Sequence, residues 1–431
     1  LADLVRRDWG SVRPFPPQPN APPTPLAMDA WPIREELTPL SDLPCVNGFA
    51  GHYSCRNVDL LAFLPVTLFG DFAANTLWGW TDPLTEQEIV IAGVNNGTVF
   101  VDITTPTAPR YLGKLPSRTG RSTWRDMKVY GDHAFIGSDM NGAHGMQIFD
   151  LTRLRALTGT TPITLTADAH YDGFADSHNL VISEETGFLY AVGSNTCSGG
   201  LHMVDIGIPT APQFAGCYRD DGYVHDAQCV LYHGPDAARR GREICFNASA
   251  ATLAVVDVTD KAAPARLSST TYPGLGYVHQ GWLTDDQRYL LVNDEFDERF
   301  FGHNARTYVF DMSNLAQPRL AGFHEAQNPA VDHNLYISGT LVYEANYTSG
   351  LRILRLGNLA QARLHEVAFF DTYPGSDAPE FTGAWSPYPF FASGVVAVNT
   401  IDRGLFVLRP TIPDEPVVDW PLFLPLVQAE Q

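Results

Sequence analysis

GTVFVDITTPTAPRYLGKL, residues 97–115, decides the fold. An apolar alternating run ends in an acid at Asp102, a turn follows, and a second short run enters through Pro109. Proline cannot donate to a ladder, so there it marks a strand's entry or edge. The run recurs as MQIFD ending at Asp150, LHMVD at Asp205, LAVVD at Asp257, TYVFD at Asp311, LRILR at Arg355 and LFVLR at Arg409. Spacings of 48, 55, 52, 54, 44 and 54 residues announce a repeat architecture. Reading backwards from each run adds two strands per unit. The third unit, for example, reads HNLVIS, FLYAVGS, LHMVDI and PQFAGCY. Four strands are the content of a propeller blade. Helical periodicity is scarce, and 36 glycines with 32 prolines suit short strands joined by tight turns. The expected fold is all-β, a seven-bladed β-propeller with four-stranded blades.

The seventh unit lacks a fourth strand, because LFVLR leads directly into PTIPDEPVVDW. An unclosed ring would expose a sheet edge. Upstream of the first blade, CRNVDLLAFLPV looks like the outer strands PRYLGKL and RLAGFHE. Residues 57–64 are therefore expected to complete the last blade and close the ring with an N-terminal strand. The organisation read from this is a Pro-rich arm over 1–44, the propeller over 45–410 and an acidic, apolar tail over 411–431.

A formal charge of −20 argues against nucleic acid and anionic membrane surfaces. No apolar stretch reaches membrane-spanning length. The six cysteines fall into local pairs, Cys45 with Cys55, Cys197 with Cys217 and Cys229 with Cys245, as disulfides of a secreted protein would. A start at Leu1 without a methionine or an export signal fits a processed mature protein or a trimmed sequence. Asn96, Asn247 and Asn346 stand in glycosylation sequons. No CxxC, GxSxG, HExxH or Walker loop occurs, so no organic cofactor is indicated.

The strands ending in VD or FD resemble the LVIVD-type repeat. WRDMKVYGDHAFIGSD, DSHNLVISEETGFLYAVGSNTCSGGLHMVDI, HDAQCVLYHGPD and GREICF resemble the secreted propellers of the choice-of-anchor B family, over about residues 45–410. The resemblance implies an extracellular or surface-attached propeller and carries no established activity with it.

Chemistry, where present, belongs at the starts of the innermost strands, which converge on the central channel. Aligning the units places Arg125 with Asp126, His178 with Asn179, His225 with Asp226, His279 with Gln280 and His333 with Asn334 in one register. The first and last units carry Trp78 or Trp80 and Trp385 there. Four of the 13 histidines keep this register in consecutive units, at spacings of 47, 54 and 54. Converging imidazoles can ligate a transition metal, with acids such as Asp126 and Asp226 orienting them. Alternatively, each polar residue latches its blade to the backbone of the next. A second candidate is the acidic turn of Asn293, Asp294, Glu295, Asp297 and Glu298, whose oxygens suit Ca²⁺.

Three functions stay open at this point. The first is a secreted or surface binding module with a protein or glycan partner, self-assembly through the arms included. The second is a metal-dependent enzyme using the axial histidines, and the third a filament or coat subunit.

Overall fold

The seven runs become the third strands of seven antiparallel sheets. The structure, a computed structural model, describes residues 37–413. Blade one is Ala74–Thr81, Glu88–Val94, Gly97–Asp102 and Arg110–Pro116, in spatial as in chain order. Blades three to six repeat this order from Asn179–Ser183, Asp226–Leu231, Val278–Leu283 and Asn334–Ser338 outwards. Every residue of Gly97–Asp102 is buried, because each blade packs face to face against two neighbours. That double burial explains why the runs read as nearly continuous apolar stretches.

Blade seven consists of Ala384–Tyr388, Val396–Thr400 and Gly404–Pro410, and its fourth strand is Val58–Pro65. The ring is thus closed by an N-terminal strand one residue out of step with the expected 57–64. Its pairing carries a signature shared by six blades. The register between third and fourth strands slips between Phe100/Val101, Met203/Val204, Val255/Val256, Val309/Phe310, Ile353/Leu354 and Val407/Leu408. At each slip the outer strand inserts one residue, Leu112, Ala215, Leu267, Ala321, Val367 or Leu61, followed by Gly, Ser or Ala. A bulge bends and twists the strand that carries it, and the small residue lets the bent edge approach its neighbour. At Gly216 a Cβ would fall 1.9 Å from the Lys261 carbonyl oxygen.

Blade two departs from the pattern. After Met146–Asp150 the chain makes a short strand, Ile163–Thr164, parallel to the outer strand of blade one, and returns as a three-residue edge, Ala169–Tyr171. Leu40–Leu43 adds a fifth strand outside Val58–Pro65, and Tyr53–Arg56 extends blade six. The remainder of the Pro-rich arm, residues 1–36, and the tail from 414 lie outside the described residues.

The core is distributed between blades. One apolar cluster joins Leu61, Leu64 and Val407 of blade seven to Leu77, Val90 and Val99 of blade one, and another joins blades four and five through Phe246, Val255, Leu290 and Tyr308. All three disulfides form as paired in the sequence, Cys45–Cys55, Cys197–Cys217 and Cys229–Cys245. The last joins directly opposed residues of adjacent strands. Asn247 and Asn346 are buried inside their blades, out of reach of a glycan. Among the described residues no helix is long and apolar enough to cross a membrane.

Candidate functional site at one mouth of the channel

The innermost strands run in the same sense around the channel, so equivalent positions form a circle. His178, His225, His279 and His333 lie at the mouth where these strands begin, with neighbouring ring centroids 4.4, 4.2 and 4.3 Å apart. Further along the same strands, Trp78, Trp282 and Tyr336 meet across the channel, at 5.7 and 5.0 Å. Trp78 therefore sits away from the register expected for it, and Trp80 is packed in the core between blades one and two. Trp385 does join the histidines, 4.9 Å from His333.

Each imidazole is fixed by a bond running to another element. His225 Nδ1 donates to the His279 carbonyl (2.8 Å), His279 Nδ1 to the His333 carbonyl (3.0 Å) and His333 Nδ1 to the Trp385 carbonyl (2.5 Å). His178 Nδ1 lies 3.0 Å from the Asp139 carboxylate. A carbonyl can only accept, so Nδ1 carries the proton in the first three and Nε2 keeps its lone pair. Burial drives His225 and His279 well below the ordinary imidazole range and His333 down to about 3, which keeps these rings neutral.

The residues beside the histidines complete the latch. Asn179 Nδ2 donates to the His225 carbonyl (3.0 Å) and Asn334 Nδ2 to that of Trp385 (3.0 Å). Gln280 spans both backbone groups of Leu335, at 2.9 and 3.1 Å. Arg125 is engaged elsewhere, with Nε 3.4 Å from the Val94 carbonyl and Nη1 3.2 Å from His144 Nε2. Asp126 accepts from Lys128 (2.8 Å) and from the Leu180 amide (2.7 Å), while burial pushes Asp226 up to about 7.

The acidic turn divides into two environments. Asp294 is consumed internally, accepting from Tyr272 Oη and the Gly276 amide (both 2.8 Å) and from the Tyr277 amide. Asn293 donates to Asp332 (2.8 Å), whose own amide donates to Glu298 (3.2 Å), and Asp297 accepts from Tyr308 (2.8 Å). Burial, with repulsion from Asp294, pushes Asp297 up to about 8, and burial, with repulsion from Asp297, pushes Glu298 up to about 10. Glu295 instead turns to the mouth. Its two oxygens lie 3.9 Å from His279 Nε2 and 3.9 Å from His333 Nε2, and Tyr347 Oη donates to it at 2.7 Å. Among the described residues, His279, Glu295 and His333 are the one set of three His, Cys, Asp or Glu whose ligating atoms all fall within 4.8 Å. Grouping Glu295 with its acidic neighbours in sequence hid this. Second strands of several blades run into a polar residue at the same place, Asp139, Ser194 and Glu295 among them, and that is the signal that could have found it.

No family model matches the chain, so membership of the choice-of-anchor B family is not confirmed, and no curated protein matches it. Among solved structures, the β-propeller domain of Myceliophteria thermophila Cps50 (Swd1) gives a TM-score of 0.50 at 12% identity, over 78% of this chain and 97% of that one. A protein from Lactobacillus plantarum gives 0.49 at 13%, over 76% and 88%. The periplasmic gluconolactonase PpgL of Pseudomonas aeruginosa gives 0.45 at 13%, over 69% and 88%. At such identities the likeness is one of fold alone.

Proposed function

We propose that this β-propeller is a secreted or surface-attached binding module of the choice-of-anchor B kind, which captures a protein or glycan partner on the face that carries the histidine mouth. The observation that carries the reading is an apolar rim on that face. Phe300 and Phe301, 40% and 56% exposed, stand on a short helix that begins two residues after Glu295, and Met140, 42% exposed, stands on the corresponding loop of blade two. Exposed aromatics beside a recess are what partner surfaces pack against. Three disulfides suit the oxidising exterior.

The test is binding of labelled full-length protein to a glycan array and to intact cells of the producing organism. Replacement of both Phe300 and Phe301 by Ser should abolish binding without lowering the melting temperature. Undiminished binding by that variant would move the partner surface elsewhere.

A hard cation such as Ca²⁺ belongs to this reading at the buried acidic turn. Asn293 Oδ1, Asp297 Oδ1, Glu298 Oε2 and Asp332 Oδ1 are buried without hydrogen-bond partners, although the three carboxylates do not bring their ligating atoms within 4.8 Å of one another, so an ion would have to draw the turn together. A melting temperature raised by calcium over chelator supports it, and an unchanged one removes calcium.

A further inference from the structure

We propose that His279, Glu295 and His333 together bind a divalent transition-metal ion at the mouth of the channel, whatever docks on the face around it. The geometry sets like against like. Both Nδ1 protons are committed to carbonyls, so the two Nε2 atoms present lone pairs, and each confronts a Glu295 oxygen at 3.9 Å. Two imidazole lone pairs and a carboxylate that converge within 4.8 Å of one another are a donor set for a transition-metal ion.

The dimensions allow it. Atoms bound to one ion at about 2.1 Å lie up to about 4.2 Å apart, so 3.9 Å fits a wide ligand angle, and side-chain shifts of a few tenths of an ångström close the set. The supporting bonds are those that metal-bound histidines use. Each ring donates its other N–H to a carbonyl, which fixes tautomer and orientation, and Tyr347 holds the carboxylate. Two imidazoles with one carboxylate favour first-row transition ions over Ca²⁺ or Mg²⁺, which prefer oxygen throughout. They also leave coordination positions open. His225, 4.2 Å from His279 ring to ring, offers a further imidazole beside them.

The experiment is titration of the chelator-treated full chain with Co²⁺, read by visible absorption and by the melting temperature. Wild type should bind one equivalent, develop d–d bands and melt higher with cobalt. His279→Asn and His333→Asn keep an amide donor near the Nδ1 position, so the latch survives while the ligand is lost. Glu295→Gln keeps an acceptor for Tyr347 and loses the charge. Each should weaken cobalt binding at least about tenfold while melting normally without metal. Wild type that binds no stoichiometric cobalt, as a bridging water alone would leave it, overturns the proposal. So does undiminished affinity in all three variants. Surface binding is read separately with the Phe300 and Phe301 variant, so either proposal can fail alone.

Discussion

The latch residues are where single side chains hold blades together. Gln280 satisfies both the amide and the carbonyl of Leu335 in a buried setting, so Gln280→Ala strands two backbone groups and should cost about 1–3 kcal/mol in urea unfolding. A cost under a few tenths would show water taking its place. A second residue gives a pH handle. His144 donates through Nδ1 to the Gly145 carbonyl and receives Arg125 at Nε2; burial, with that guanidinium second, lowers it to about 4. Its folded value lies below the unfolded one of about 6.5, so the unfolded chain takes up the proton first on acidification. The stability it contributes is complete above pH 6.5 and lost as pH falls towards about 4. Relative to His144→Gln, wild type should lose ~1.4 kcal/mol per pH unit across that window. Parallel profiles would contradict the assignment.

At the scale of elements, the bulged outer strand is the unit that the sequence displays most openly. Leu-Gly in PRYLGKL, Ala-Gly in PQFAGCY and Leu-Ala in VDLLAFLP are one device, a residue squeezed out of register before a small one, and Val58–Pro65 was recognisable as the missing strand through it. Gly216→Ala should cost about 1–3 kcal/mol, because the added methyl meets the Lys261 backbone at 1.9 Å and a carbonyl yields less readily than a side chain. Equal stability would mean that the neighbouring blade shifts freely. Removing the chain through Pro65 uncovers the edge of Gly404–Pro410 and should turn a monodisperse protein into aggregates by light scattering. What the repeats could not display was the interruption in blade two, since residues 151–168 share no alternation with other units.

For the whole molecule, rotation about the channel axis turns one register in sequence into one circle in space, which is why the spacing of the four histidines already implies that they meet. The same logic missed Glu295, because the acid reaches the circle from a second strand and its sequence neighbours point into the blade. It also misplaced Arg125, whose length lets it fold back to Val94 of the preceding blade. The circle's chemistry rests on a single claim, that the latch holds Nδ1–H inward to the backbone and leaves Nε2 to the mouth. Histidine-selective ¹⁵N NMR of the chelator-treated protein at neutral pH measures this directly, with assignment by single His→Asn variants. Neutral rings protonated at Nδ1 are expected for His225, His279 and His333. Nε2–H tautomers or imidazolium shifts at those three residues would contradict it.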